Sequence, residues 1–573
     1  MTSDTEPEDP QSQAKPTESF AETLLKNIDL SQLPDERWRE CVRQLLNLVE
    51  SLTGDLRKAQ AENQYLREQL KRGQGGPDGP SPLESNSGGP GQKPRSSEKE
   101  RGKRGKWKKR TKLDRVRVDR EQELKLPSAA LPADAEFKGY ETVVVQDLRI
   151  HTDNVKFLKA KYYSASERKT YLAPLPAGYN GEFGPGVKAA CLLFGYACNM
   201  TEPKIAQVLE NFGIQISAGQ ISRLLIGRAE TFHREKSEVV EAGLRSSPWQ
   251  HLDDTPSRVE GKNWHCQVVC NSLFTAYFTT ERKDRLTVID VLRNQRERVY
   301  RINAETALLL DQNEAPQKVL EAIQRLPRDR DLSEAALEVL LHEHLPGLGA
   351  TSRHAVREAA AIAAYHAQTE HPVVRLLLSD DAKQFKRVTE ELALCWIHDG
   401  RQYKSLEPCV PLHQTLLKDF LQHYWDFYKQ LRDYPQALSP EHAARLSQQF
   451  DRLFSTRTGY DALDQRIART QEKKPHLLMV LRHPEIPLHN NPAELGARLR
   501  VRKRVISYGT RSPQGTQAWD TFHTLLGTAK KLGVNFFQYI RDHVSGTPQT
   551  PSLAQLIDER AKALNLGASW APP

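Results

Sequence analysis

From Trp38 to Leu70 apolar side chains recur in alternating steps of four and three, through Val42, Leu45, Val49, Leu52, Leu56, Ala59, Asn63 and Leu66. That spacing is a heptad seam and predicts a coiled-coil helix over residues 35–72. Val42, Val49, Leu56 and Asn63 fall at the a positions. An asparagine there selects register and a parallel pair at some cost in stability. The expected dimer contacts are Leu45, Val49, Leu52, Leu56, Asn63, Leu66 and Leu70. Gly54 inside the seam weakens the helix. The alternative reading is an amphipathic helix packed on the chain's own body.

Further along, the period changes. Residues 113–185 carry short apolar runs such as Glu141–Val145 and Lys156–Tyr162, the pattern of a small β-rich module. Residues 186–246 read as helices. Pro203 stands just inside one start, Gly213 marks its end, and Ser217 caps the next helix, Ala218–Ala229. Ile205, Leu209, Ile221 and Leu225 form the expected shared core of a helix-turn-helix. Gln220, Ser222 and Arg223 are left to face a DNA groove or phosphates; an ordinary helical hairpin is the other reading. The run Trp264–Cys270 and the run Phe274–Phe278 look like strands of an antiparallel meander. Val373–Ser379 looks like a buried strand. The intervals about 300–370 and 407–486 look helical, with Ser439-Pro-Glu a clear helix start.

Composition narrows the class. The chain has 573 residues, too many for one ordinary core, which predicts three or four domains. A mean hydropathy of −0.64 and the lack of a long apolar run exclude a helical membrane protein. Met1–Pro10 carries acids and no apolar stretch, so no secretory signal is expected there. The 7 cysteines fit a reducing compartment rather than a disulfide framework.

Charge is unevenly placed. The whole chain carries +9, while Lys93–Arg120 holds 14 Lys+Arg against 4 Asp+Glu, or +10, so the remaining residues sum to −1. One segment supplies the basic excess. Residues 1–34 read as a disordered acidic tail and 73–112 as a disordered Gly/Pro-rich, then basic linker. Lys103, Arg104, Lys106, Lys108, Lys109 and Arg110 are the expected phosphate contacts. Trp107 is placed among them to stack on a base or wedge into a groove.

Three acids then stand out. Asp253 or Asp254 lies on the first strand of the meander. Asp380 closes the buried strand. Glu494 opens a helix that continues through Arg498, Arg500 and Arg502. Carboxylates at two strand ends and on a helix are what a two-metal phosphodiester site requires, because Mg²⁺ prefers oxygen ligands. Taken singly, Asp380 also reads as a helix N-cap and Glu494 as a first-turn acid.

The segments Leu252-Asp-Asp-Thr-Pro256, Leu378-Ser-Asp380, Cys395-Trp-Ile-His398 and His489-Asn-Asn-Pro-Ala-Glu494, followed by Arg502-Lys-Arg504, resemble transposases of the insertion-sequence-66 family. The likeness covers about 186–545. It implies a DDE transposase with a ribonuclease-H-like α/β core over 247–510, helical insertions within it, and C-terminal helices in 511–573. It places the catalytic and metal-binding triad at Asp253, Asp380 and Glu494, with two Mg²⁺ ions for which Mn²⁺ substitutes. His398, Arg498, Arg502, Lys503 and Arg504 are its expected DNA contacts near the core. It further implies binding to the element's terminal inverted repeats, dimerisation through the zipper, companion proteins, and a prokaryotic, nucleoid-associated cytoplasmic location. The expected architecture is thus multidomain α+β: coiled coil, small β-rich module, helix-turn-helix and catalytic core.

Three departures from the family pattern stand out. Tyr162–Glu167 occupies the place of a Cys-type zinc finger without its ligands, so no zinc is expected. The interval from Asp253 to Asp380 is longer. Cys395-Trp-Ile-His398 has Ile and a following Asp-Gly where the family usually has Ala and basic residues. A transposase-derived dimeric DNA-binding protein and a ribonuclease-H-like nuclease of another pathway are the rival readings.

Overall fold

The structure is a computed structural model. It describes Leu25 and residues 28–73 and 116–566, apart from positions 117, 125, 128–131, 133–134, 138, 180, 228 and 547, and without the side chains of 68–73. The basic arm with Lys103, Arg104, Lys106, Trp107, Lys108, Lys109 and Arg110 lies outside the described residues, as do most of the acidic tail and the Leu70 side chain.

The chain opens with one long helix, α1 (Glu36–Gly73). A hairpin of β1 (Lys161–Ser164) and β2 (Lys169–Leu172) follows. Then come α2 (Pro185–Leu192), α3 (Glu202–Asn211), α4 (Ala218–Ile226) and α5 (Glu230–Arg245). The chain divides into two compact units. The smaller comprises 96–175 and 202–221, and so holds the hairpin, α3 and the start of α4; the larger holds the rest.

In the smaller unit, β1 and β2 are the strands among the described residues. The expected strand at Glu141–Val145 is not there: Val143 and Val145 are 73% and 81% exposed. An alternating run is stable as a strand only beside a neighbour that covers one face. Gly213, at φ +81°, ends α3, with the Ile214 N–H closing back on the Leu209 carbonyl at 2.9 Å. Ser217 caps α4 through the Gln220 N–H at 3.2 Å.

The larger unit is built on a mixed five-stranded sheet. Its strands are β3 (Trp249–Val259), β4 (Lys262–Cys270) and β5 (Thr275–Thr280), then β8 (Leu376–Ser379) and β9 (Glu391–Leu394). The spatial order is β5-β4-β3-β8-β9. β3, β4 and β5 pair antiparallel, while β3, β8 and β9 pair parallel. Glu260 and Gly261, both at positive φ, form the two-residue turn between β3 and β4, whose twist suits a hairpin.

Between β5 and β8 runs a helical excursion. It contains α6 (Arg285–Leu292), α7 (Ala304–Gln312), α8 (Gln317–Arg325), α9 (Glu334–His344) and α10 (Ala350–Ala367), with a small ladder of β6 (Tyr300–Arg301) and β7 (Asp331–Leu332). Side-chain caps set several starts: Asp284 for α6, Asn303 for α7 and Ser333 for α9.

After β9 come α11 (Trp396–Lys404), α12 (Pro411–Asp433), α13 (Pro440–Phe454), α14 (Asp461–Glu472) and the short α15 (Lys474–Leu477). Ser439 caps α13 with Pro440 in its first turn. Trp396, Tyr403, Tyr424, Phe427, Phe450 and Phe454 make a buried aromatic core for this insertion. The chain closes with α16 (Asn491–Ser507), α17 (Pro513–Leu532), α18 (Phe536–Val544) and α19 (Leu553–Ala563).

Helix α17 seals the β5 edge. Asp520, Thr524 and Thr528, four residues apart, accept from the backbone N–H groups of Thr279, Tyr277 and Thr275, two apart, at 2.7, 3.1 and 3.2 Å. Four helical residues rise about 6 Å and two strand residues about 6.8 Å, so the two ladders keep step. An otherwise open sheet edge is thereby satisfied.

Helix α1 presents two faces. On one, Leu46 is buried. Glu50 accepts from the Cys409 and Val410 N–H groups at 2.7 and 2.9 Å, ahead of α12. Asn47 accepts from the Asp461 N–H at the start of α14 and donates to the Gly459 carbonyl. On the other face Leu45, Val49, Leu52, Leu56, Asn63 and Leu66 are exposed. The heptad seam thus stays open while the opposite face packs on the chain's own body.

Candidate active site

The sheet register brings the first two acids together. His251 of β3 lies opposite Leu378 of β8, so two residues on Asp253 comes level with Asp380, just beyond the β8 end. Ser379 lies opposite Leu394 of β9, which brings Asp380 level with Cys395. Paired residues in neighbouring strands share a face. Asp253 also pairs with Val268, and Val268 with Tyr277. Both pack against Ala497 of α16. Asp253 therefore lies on the face that α16 covers. Asp254 points the other way, where Gln384 donates to it at 2.7 Å and Lys283 stands 3.5 Å off.

Asn490 fixes where α16 begins. Fully buried, it donates from Nδ2 to the Leu252 carbonyl at 2.8 Å and meets His251 Nδ1 through Oδ1 at 2.9 Å. Its N–H donates to Cys395 Sγ at 3.2 Å. One side chain thus ties the strand before Asp253 to the helix that carries Glu494 one turn later. Gly496 lets α16 lie close: a Cβ there would stand 2.9 Å from Val268 Cγ1.

Glu494 reaches towards α11. Its Oε2 accepts from Arg401 Nη2 at 3.2 Å, and its Oε1 stands 3.6 Å from His398 Nδ1. Arg401 Nη1 is 3.3 Å from His398 Nε2. Among the described residues, the metal-capable atoms that all fall within 4.8 Å of one another belong to Cys395, His398 and Glu494. The three acids form a looser set.

Electrostatics show carboxylates short of positive charge. Burial, and then Asp380, Asp254 and Glu494, push the Asp253 carboxyl well above its usual range. Burial also raises Asp380, partly offset by His398. Such mutual repulsion is relieved when a cation binds. Asp381 goes the other way. Burial opposes ionisation there, but Lys386 and Lys473, at 2.7 and 2.5 Å, hold it below the usual carboxylate range. Lys473 also approaches the buried Asp399 of α11 at 3.6 Å. Asp381 therefore fastens the helical insertion beside the second acid.

Several sequence-derived contacts land differently. Arg498 and Arg502 are exposed on α16. Lys503 does not face phosphates: it is buried, and its Nζ donates to the Gly195 carbonyl at 2.7 Å. Arg504 is half-buried and donates to the Pro256 carbonyl. On a helix lying against a sheet, successive basic residues cannot all point outward. Arg500 is likewise buried in an ion pair with Asp520. Arg223 is exposed, while Gln220 and Ser222 are half-buried. His398 sits at the acid cluster, 27% exposed.

Arg401 escaped the sequence reading, although it lies one turn beyond His398 on the same helix face. Asn490 lies inside a recognised motif, but its cross-link to β3 has no local signal. Neither has the Lys473 tether.

The class defined here is a mixed α+β protein, mostly helical, on a mixed five-stranded sheet with acids gathered at strand ends and on a covering helix. The Transposase IS66 family model matches residues 353–518, taking in Asp380, Cys395, His398 and Glu494 but not Asp253. The uncharacterized protein y4jO of Sinorhizobium fredii (strain NBRC 101917 / NGR234) is 34% identical over 328 residues, covering 56% of this chain and 100% of that one. The chain belongs to the IS66 transposase family. No helix among the described residues is long and apolar enough to cross a membrane.

Proposed function

We propose that this chain is a DDE transposase with a ribonuclease-H-like core. It nicks the ends of its element and joins the freed 3′-OH to target DNA. The observation that carries this reading is the register that levels Asp253 with Asp380 on adjacent parallel strands, under the helix that bears Glu494. Three antiparallel strands followed by two parallel ones, with the first acid on the central strand, is the order such a core needs.

The oxygen donors Asp253, Asp380 and Glu494 suit two Mg²⁺ ions, or Mn²⁺ in their place; bound there, the metal supplies Lewis acidity to the attacking and leaving oxygens. The raised Asp253 carboxyl fits a site made for such charge. The chain's own residues do the positioning. Asn490 sets the start of α16 against β3, Arg401 holds Glu494 through its Oε2, and Lys473 with Asp381 keeps the insertion beside the site. Hydrolysis frees a 3′-OH, and that hydroxyl then attacks a target phosphodiester. Neither step needs a covalent enzyme intermediate.

DNA capture is assigned to the basic arm around Lys103–Arg110, to Arg223 on α4 and to the exposed Arg498 and Arg502. The open seam of α1 is assigned to a second copy of the chain. Companion proteins of the element belong to the same reading.

The test is end-labelled DNA carrying the element's inverted repeats, incubated with Mg²⁺ and a target plasmid. Nicking and joined products are expected, and Asp253→Asn and Glu494→Gln should each abolish both. Binding without cleavage would favour a DNA-binding descendant of a transposase. Hydrolysis without joining would favour a nuclease of another pathway.

A further inference from the structure

The sulfur of Cys395 is buried beside two other side chains able to bind a metal ion. It sits at the head of α11, 1% exposed. It accepts from the Asn490 N–H at 3.2 Å, and the backbone N–H groups of His398 and Ile397 also favour its ionised form. Burial opposes this and keeps the thiol protonated, pushed up to about 11. A bound cation would take this sulfur as the thiolate.

One ligand atom from each of Cys395, His398 and Glu494 falls within 4.8 Å of the others. His398 Nδ1 and Glu494 Oε1 are both buried and both lack a hydrogen-bond partner, yet they stand only 3.6 Å apart. That is too long for a hydrogen bond. It is close to the edge of a tetrahedron of ligands about 2.1 Å from a zinc ion, roughly 3.4 Å. Arg401 lies on the far side of both groups, on His398 Nε2 and Glu494 Oε2. Arg401 thus occupies the other ring nitrogen and the other carboxylate oxygen, and not this pair.

We propose that Cys395, His398 and Glu494 form a second cation site, for a zinc-class divalent ion, with its fourth position open to water. Thiolate and imidazole select a borderline ion over Mg²⁺, which prefers oxygen alone. Binding releases the Cys395 proton. It also places the ring proton of His398 on Nε2, so that Arg401 Nη1 turns from that nitrogen while Nη2 stays on Glu494. Because Glu494 is shared, an ion here withdraws the third acid from the triad. Zinc is then an inhibitor of the Mg²⁺-dependent reaction. This last step rests on the transposase reading, whereas the site itself does not.

Cobalt(II) titrated into the full chain under reducing conditions tests the site. One equivalent should give a thiolate-to-cobalt charge-transfer band with the visible spectrum of a tetrahedral ion, and equimolar Zn²⁺ should bleach it. Cys395→Ser should remove the band, and His398→Gln should weaken cobalt binding by at least about tenfold. Asp380→Asn, which cripples the proposed Mg²⁺ chemistry, should leave the band intact, so a failed transposase reading and a failed zinc site remain distinguishable. Wild-type chain without the band, or a band that survives in Cys395→Ser because an exposed thiol supplies it, overturns the proposal. In the nicking assay Cys395→Ser should tolerate at least about tenfold more zinc than wild type. Equal sensitivity would overturn the inhibitory role.

Discussion

Replacing Asn490 by alanine removes a buried cross-link without touching an acid. Three groups lose their partner or change it: the Leu252 carbonyl, His251 Nδ1 and, through the relaxed backbone, the Cys395 sulfur. A buried polar group left unpaired costs about 1–3 kcal/mol, and losses in one network are not additive. The expected destabilisation of the β3–α16 junction is therefore about 2–4 kcal/mol. In a chain of two units no single unfolding midpoint reports this cleanly. Hydrogen exchange read by mass spectrometry does, on peptides covering 249–256 and 488–500. Those peptides should exchange at least about thirtyfold faster in Asn490→Ala, while peptides in α7–α9 stay unchanged. Asn490→Asp should be as harmful despite its matching shape, because it sets an oxygen against the Leu252 carbonyl. Wild-type exchange rates at the junction would refute the account of how Glu494 is positioned.

Other expectations follow the same logic. Asp520→Ala strands the buried Arg500 guanidinium and frees the Thr279 N–H; a local loss of about 3–5 kcal/mol is expected, read as at least about hundredfold faster hydrogen exchange in peptides covering 275–280 and 516–524, and a change under about fivefold would contradict it. Glu50→Ala removes the acceptor ahead of α12. It should cost about 1–2 kcal/mol, seen as faster exchange in 409–415 and in α1, and unaltered exchange would show that α1 is not fastened there. Burial lifts the Glu235 carboxyl from 4.5 to about 7. The folded chain therefore holds this proton more tightly than the unfolded one. The contribution is fully present below pH 4.5 and is lost as pH rises through 7, a span of up to ~3 kcal/mol. Glu235→Gln should flatten that part of the stability profile, and a profile identical to wild type would exclude Glu235 as its source.

Local pattern alone marks the helices of α1, α8, α9 and α13, because the periodicity of the first two and the serine caps of the last two are written within a few residues. The acids are another matter: local pattern leaves Asp253 and Asp254 open and reads Asp380 and Glu494 equally well as a cap and a first-turn acid, and only the family resemblance groups Asp253, Asp380 and Glu494 as a set. Residue type and spacing even bring out the heptad seam and the basic arm. The run at Glu141–Val145 shows where pattern fails: alternation describes a strand's faces but cannot supply its neighbour.

Tertiary structure decided which of these residues meet. The parallel register of β3 and β8, which no local signal encodes, levels Asp253 with Asp380 and turns Asp254 to the other face. Packing of α16 on the sheet separates exposed Arg498 and Arg502 from buried Arg500 and Lys503, although all four are equally basic as sequence. Asn490, Arg401 and Lys473 act across 74 to 239 positions only because the chain folds back, as when Lys473 approaches Asp399 across 74 and Asn490 reaches His251 across 239. The seam of α1 is legible in sequence; that its opposite face fastens to α12 and α14 is not. Sequence writes side-chain chemistry and short-range periodicity, whereas long-range contact depends on how elements pack, and the site is made of such contacts.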